Sequence, residues 1–531
     1  MKRRDFLKAS SPFALLPLAL NGMPIKALGS PSIMNALQGA FVDTDHVLVL
    51  IQLNGGNDGL NTVIPVDQYS NLSKVRSNVM IPQTKVLLLD DVQGTGLHPS
   101  MTGMRELFNN EKLGIIQGVG YPDPNFSHFR STDIWMTGSD ADETLTSGWV
   151  GRYLSQEYPN FPTGFPNASM PDPLALQIGS VVAPVCQGVS ANMGMAISDP
   201  STYYQLLTGE YDPAPSSKAG FELEYIRQVA YQSNEYGQAV KAASEKGNNK
   251  SDKYPTAGQN RLADQLKIVA NLISGGLKTR VYICNLGGFD THAAQVDATG
   301  GNDTGTHANL LGMVSEAITA FQDDVEQLGL DNRVLGMTFS EFGRRISANF
   351  SYGTDHGTSA PMFVFGKHVK GGFTGSNPKI DSNTTVQDNL PMQYDFRQVY
   401  STILKDWFCL PELDVETVML DKFDQLSLLN DSCSVGSAQR EAWRRSGESW
   451  VTNYPNPFHS NTNIKFASEG DQVVIDLLDS QGRFLKNIVD GMYPKGSHEV
   501  VFNAHDLSAG TYYYRYQRGN FQQTKPMLKI R

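Results

Sequence analysis

Cysteine is scarce, with four in 531 residues, and that excludes a scaffold built on disulfides. Long apolar runs are missing as well. None approaches the roughly 20 residues of a membrane-spanning helix, so no transmembrane anchor is expected. A basic excess is also lacking: 43 Lys and Arg stand against 54 Asp and Glu, a formal net charge of −11. A general nucleic-acid binder would be basic, so no nucleic-acid partner is expected. What is present is globular composition, 40% hydrophobic and 18% charged, unlike a disordered chain. At about 150 residues per domain the length suits several domains and a large core.

The N-terminus reads as a targeting segment over residues 1–29. A charged head, Met1-Lys2-Arg3-Arg4, precedes a short apolar stretch, Phe13 to Leu20, and small residues close it at Ala27-Leu28-Gly29. These are the three parts of a signal peptide. The paired arginines before Phe6-Leu7-Lys8 resemble a bacterial twin-arginine signal. That implies handling by the twin-arginine export machinery, with the periplasm as a station in transit.

From about Trp450 the texture changes. Alternating runs at Asn463 to Phe466, Val473 to Leu478, Glu499 to Asn503 and Thr511 to Tyr516 are separated by turn residues. They predict a small antiparallel β-sandwich over 450–531. Residues 449–531 carry a net +2 and leave about −13 to the rest, which fits separate modules. The Tyr454-Pro455-Asn456-Pro457-Phe458 start, the Asp479-Ser480-Gln481-Gly482-Arg483 turn, the Leu507 to Tyr512 hairpin and the basic end Lys525 to Arg531 resemble the type A sorting domain of type IX secretion. The resemblance implies recognition by that machinery and delivery to the cell surface or beyond. The polar stretch 431–449 suits a linker.

Between these ends, over 46–430, the pattern is α/β. Apolar strands are predicted at His46 to Leu53, Leu113 to Gln117, Thr279 to Asn285, Arg333 to Phe339 and Pro361 to Gly366. Helical patterns fall at Ser100 to Phe108, Ser131 to Thr137, Phe221 to Ala243, Gln259 to Ile273 and His307 to Leu328. The alternation predicts a doubly wound, mostly parallel sheet covered on both faces.

In such sheets ligands bind beyond the carboxyl ends of the strands. There this chain carries Asn57-Asp58-Gly59, Ser127-His128-Phe129-Arg130, Asp290-Thr291-His292, Ser340-Glu341 with Arg344, and Asp355-His356-Gly357. Packed carboxylates repel, so a crevice holding them needs a cation or shifted pKa values. Carboxylate with imidazole suits zinc, manganese or iron, whereas calcium and magnesium favour oxygen alone. Each group also has a plain structural use: Asp58 a turn, His292 a hydrogen bond, Glu341 an ion pair with Arg344 or Arg345, His356 a polar turn. Ser127 at a helix start is either an activated nucleophile or an N-cap. His98 and His307 fit core-bonded or solvated histidines better than ligands. No Cys-x-x-Cys spacing occurs, so a zinc-thiolate site is not expected; Cys409 with Cys433 is one open disulfide pairing.

Together with Gly148-Trp149-Val150-Gly151-Arg152, these motifs resemble, in order and over Val47 to Asn430, the twin-arginine-exported domain-of-unknown-function family 1501. That family is similar to the alkaline phosphatase and sulfatase superfamily. The resemblance implies one or two divalent metals and hydrolysis of phosphate or sulfate esters. It makes Asp58, Asp290, His292, Glu341 and His356 the metal ligands and Ser127 the nucleophile. Arg130 or Arg344 would hold the anionic group of an ester or a polysaccharide substrate. Phe342 follows Glu341 where the phosphatase pattern has histidine, and Ser127 lies in no Cys-x-Pro-x-Arg. A formylglycine route is therefore not supported. The rival expectation is a non-catalytic carbohydrate-binding or scaffold protein on a hydrolase-like fold.

Overall fold

The computed structural model describes residues 19–20, 23–24, 45–430, 433 and 451–529, less 159–160, 163–164, 169, 190, 201–217, 455, 457, 469, 480–482 and 520. The expected twin-arginine stretch and nearly all of the expected linker 431–449 lie outside the described residues.

A nine-stranded sheet organises the α/β part. Its strands are β1 (Val47–Asn54), β2 (Leu113–Gly120), β3 (Ala175–Ile178), β4 (Gly194–Ile197), β5 (Val281–Gly287) and β6 (Val334–Phe339). After a hairpin of β7 (Arg344–Ala348) and β8 (Thr354–His356) come β9 (Ala360–Phe365), β10 (Gly372–Thr374) and β11 (Tyr394–Asp395). The order is β10-β2-β9-β6-β1-β5-β3-β4, with β11 also on β2. Every pairing is parallel except those of β9, which runs antiparallel to both β6 and β2. The sheet is thus mixed and mostly parallel. β3 and β4, four residues each, were too short for the apolar pattern to reveal.

β1 shows why the fold is doubly wound. Its seven residues Val47 to Leu53 are all buried, and alternate ones serve two cores. Val47, Val49, Ile51 and Leu53 face one core. It is built by α3 (Thr102–Asn109), α7 (Arg261–Ser274) and α8 (Thr306–Gln327). Leu48 and Leu50 face the other, built by α4 (His128–Thr137), α5 (Trp149–Glu157) and α9 (Phe396–Thr402). Further α-helices among the described residues are α1 (Gly59–Thr62), α2 (Tyr69–Arg76), α6 (Lys218–Lys246) and α10 (Glu412–Met419). Asn260 starts α7 by accepting from the Leu262 and Ala263 N–H groups at 3.2 and 3.1 Å, the usual work of an N-cap asparagine. Cys409 and Cys433 form a disulfide; Cys186 and Cys284 are buried thiols.

The C-terminal segment forms two antiparallel sheets around its own core, which includes Val451, Phe466, Ile475, Tyr514 and Tyr516. One sheet holds Val451–Tyr454, Asn461–Ser468 and Gly496–Asn503; the other holds Phe484–Met492, Gln472–Leu478, Gly510–Arg518 and Phe521–Lys529. Alternating burial along Asn461–Ser468 is the period-2 signature of a half-buried strand.

Candidate metal centre

The parallel strands β1, β2, β5 and β6 end on one edge, and the segments that follow them build a polar cluster. After β1 the chain turns through Gly55 and Gly56 (φ +125° and +81°). A Cβ on Gly55 would stand 2.3 Å from the Asp290 nitrogen, so only glycine lets this loop lie against the one after β5. That approach lets the Gly55 N–H donate to Glu341 Oε1 at 2.8 Å.

Three imidazoles converge on Asp290. His292 and His356 each bring Nε2 to 3.2 Å from Asp290 Oδ1, and their Nε2 atoms are only 2.8 Å apart. His128 Nε2 stands 3.4 Å from Asp290 Oδ2 without hydrogen-bond geometry. On each ring the other nitrogen faces an acceptor. His128 Nδ1 meets Glu341 Oε1 at 2.8 Å, His356 Nδ1 the Phe126 carbonyl at 2.8 Å, and His292 Nδ1 Asp355 Oδ1 at 3.1 Å. Each Nδ1 faces an acceptor, so a neutral ring protonated there would leave its Nε2 lone pair on the Asp290 side. Phe342 fixes two of the rings from the side, with centroids 4.9 Å from His128 and 4.5 Å from His356.

Electrostatics keep the Asp290 carboxylate ionised. Burial alone would raise the Asp290 carboxyl, but hydrogen bonds from Arg344 and His356 and the charges of Arg344 and His292 bring it down to about 2. Burial lowers His356 and outweighs its bonds to Phe126 and Asp290. The Asp355 carboxyl is lowered too, because Asn349 and His292 outweigh its burial.

Of the residues the sequence nominated, the structure brings together Asp290, His292 and His356, with fully buried Glu341 behind His128. One potential ligand atom from each of His128, Asp290 and His356 lies within 4.8 Å of the other two. Ser127 is the exposed N-cap residue of α4, and its hydroxyl makes no cap hydrogen bond. It stands in the chain between Phe126, which holds His356, and His128.

Three nominations meet a different arrangement. Asp58 is buried, ion-paired with Arg76 and bonded to Gln295 Nε2 at 2.6 Å. Its charge is already matched, and burial's upward push on its carboxyl is outweighed by Arg76, His307 and Gln295. Arg344 has no exposed surface. It donates to the carbonyls of Gly55, Gly56, Thr354 and Phe289 and to Asp290, so it ties loops together rather than facing a ligand. Arg130 pairs with Asp133 and donates to the carbonyls of Asp140, Ala141 and Glu143. The sequence assigns no role to Gln295, nor to His128 and Asp355, although these two lie in its strand-end motifs.

Comparison with known proteins places this geometry in context. A family model described as "Protein of unknown function (DUF1501)" matches residues 45–410. A second, "Secretion system C-terminal sorting domain", matches residues 452–530. The sorting domain marks the chain for export to the cell surface or secretion. No helix among the described residues is long and apolar enough to cross a membrane. No curated protein matches. Among solved structures, the chain is similar to an alkaline phosphatase superfamily protein from Vibrio parahaemolyticus, with 9% identity, TM-score 0.32 and 85% and 84% of the two chains covered. It is similar to a sulfatase from Pseudoalteromonas sp., with 11% identity, TM-score 0.29 and 90% and 89% covered. It is also similar to a phosphonate monoester hydrolase from Silicibacter pomeroyi, with 10% identity, TM-score 0.28 and 91% and 88% covered. With more than half of its length matched by one model, the chain belongs to the DUF1501 family and ends in a secretion-system sorting domain.

Proposed function

We propose that the chain is an exported, metal-dependent hydrolase of phosphate or sulfate esters whose centre holds one divalent ion. A single observation carries the reading: two imidazole Nε2 atoms face each other at 2.8 Å above one carboxylate oxygen. Rings protonated at Nδ1 would bring two Nε2 lone pairs within reach of one cation beside the Asp290 carboxylate. Asp290, His292 and His356 would hold the ion, with His128 as a further nitrogen donor. Nitrogen donors at this density suit zinc, manganese or iron better than calcium or magnesium. Glu341, Asp355 and the Phe126 carbonyl would orient the rings, as outer partners of metal-bound histidines do. Asp58, matched by Arg76, is left out of the ligand set.

The chemistry such an ion would supply, when bound, is polarisation of a phosphoryl or sulfuryl oxygen and a lowered pKa for a nearby hydroxyl or water. The chain's own part is positioning. α4 presents Ser127 at its N-terminus beside His128, with a hydroxyl free of capping duty, where the helix dipole favours an alkoxide and an anionic group. The unpaired N–H groups of that first turn would receive the anion that Arg130 and Arg344 are not free to bind.

The reading also takes residues 1–29 as a twin-arginine signal, 46–430 as the hydrolase domain and 450–531 as the sorting domain, joined by a linker at 431–449. The test is metal analysis of the full chain with a panel of phosphate and sulfate esters. One ion per chain and turnover of an ester are expected; metal-free, inactive protein would sink the proposal. The engagement of both Arg130 and Arg344 favours one second reading, a metal-stabilised binding protein without turnover. Stoichiometric metal, glycan binding and no hydrolysis would favour it.

A further inference from the structure

Behind the cluster, a fully buried glutamine joins the loops that carry it. Gln295 Nε2 donates to Asp58 Oδ2 at 2.6 Å. Its Oε1 accepts from Thr354 Oγ1 at 2.6 Å and from Thr291 Oγ1 at 3.1 Å. The carboxylate, an acceptor only, fixes which way the amide points. Its backbone adds two ties: Gln295 N donates to the Tyr352 carbonyl at 2.9 Å, and the His307 N–H donates to the Gln295 carbonyl at 3.0 Å.

These bonds fall at telling places. Thr291 lies between Asp290 and His292. Thr354 immediately precedes Asp355, which holds His292, and His356. Asp58 is anchored in turn by Arg76, whose Nη1 reaches the Ile346 carbonyl in β7 at 3.4 Å and whose Nη2 reaches Asn61 Oδ1 at 3.3 Å. One side chain therefore connects the segment after β1, the segment after β5 and the β7–β8 hairpin.

We infer that Gln295, held by the Asp58–Arg76 ion pair, is the positioning residue that sets the spacing of Asp290, His292 and His356. The inference rests on the metal reading above and deepens it: Asp58 acts on the ion at one remove, as the anchor of the residue that spaces the ligands. A centre whose donors come from separate loops is only as tight as the struts between those loops, and loss of such outer partners lowers metal affinity by roughly 10–100-fold.

The experiment strips the full chain of metal with a chelator and titrates Zn2+ back, reading affinity and stoichiometry by calorimetry and the melting temperature of the metal-free form. Wild type is expected to take up one ion. Gln295→Met, which keeps the volume and removes the bonds, is expected to take up one ion with about 10–100-fold weaker affinity. Thr354→Val, which removes a single bond, is expected to lose about 10-fold and decides the matter if Gln295→Met does not fold. A lowered melting temperature with affinity within about twofold of wild type in the folded variants would overturn the inference, because a purely structural glutamine behaves that way. No uptake by wild type would overturn the metal reading itself and the inference with it.

Discussion

Glu341, sealed from solvent, accepts a hydrogen bond from Nδ1 of His128 at 2.8 Å through the same oxygen that receives the Gly55 N–H. One buried carboxylate thus fixes both a ring and a backbone turn. Glu341→Gln keeps the shape and an acceptor but loses the charge. It is expected to fold and to bind metal about 10-fold more weakly, as read by competition with a chromophoric chelator. Glu341→Ala strands both donors and is expected to lower stability by about 1–3 kcal/mol for each, as read by urea unfolding.

Arg344→Lys separates a structural arginine from an anion-binding one. Lysine offers three donors from one point and cannot reach the spread of acceptors that the guanidinium serves. Each buried carbonyl left without its donor costs about 1–3 kcal/mol. The expected result is a lower urea midpoint at unchanged slope. A stable variant with only a raised KM would show the opposite role.

Ser127→Ala is expected to abolish ester turnover while metal content stays at wild-type level. Because the Ser127 hydroxyl makes no cap hydrogen bond, the melting temperature should hardly move, with stability within about 0.5 kcal/mol. Turnover that survives the change would point to a water nucleophile.

Acid sensitivity should come from beneath the site. Burial lowers His307 to about 4 and His98 to about 3, against 6.5 for an ordinary histidine. The unfolded chain therefore binds more protons than the folded one below pH 6.5. Stability from these groups is complete above that value and is lost as pH falls toward 4 and 3. Each histidine contributes up to about 1.4 kcal/mol per pH unit in that window. His98 Nδ1 accepts the Ser100 N–H at 3.1 Å, a role an asparagine oxygen can take. His98→Asn is expected to flatten the pH dependence of urea stability between pH 6.5 and 4.5.

Much of this architecture is legible in the chain alone, because apolar runs bounded by glycine reveal buried strands wherever they exceed about five residues. β1, β5 and β6 are visible that way, and so is the gathering of Asp290, His292 and Glu341 at their ends. The four-residue β3 and β4 are below that threshold. The direction of β9 is hidden because an antiparallel strand between parallel ones is equally apolar. The partners of Asp58, Arg130 and Arg344 could not be foreseen for another reason. Arg76 lies 18 positions from Asp58, and the carbonyls that occupy Arg130 and Arg344 belong to every residue type, so sequence identity carries no trace of them. The same holds for Gln295: its importance comes from where three loops meet.

The bond between Cys409 and Cys433 also bears on what happens after export. It fastens the last described residue of the α/β part to the segment between α9 and α10, so a protease cutting between Ser434 and Ser449 would leave a hemmed edge. Removal of the sorting segment would then cost the remaining protein no thread to unravel. The bond needs an oxidising compartment to close, so the finished hem belongs to the exported chain.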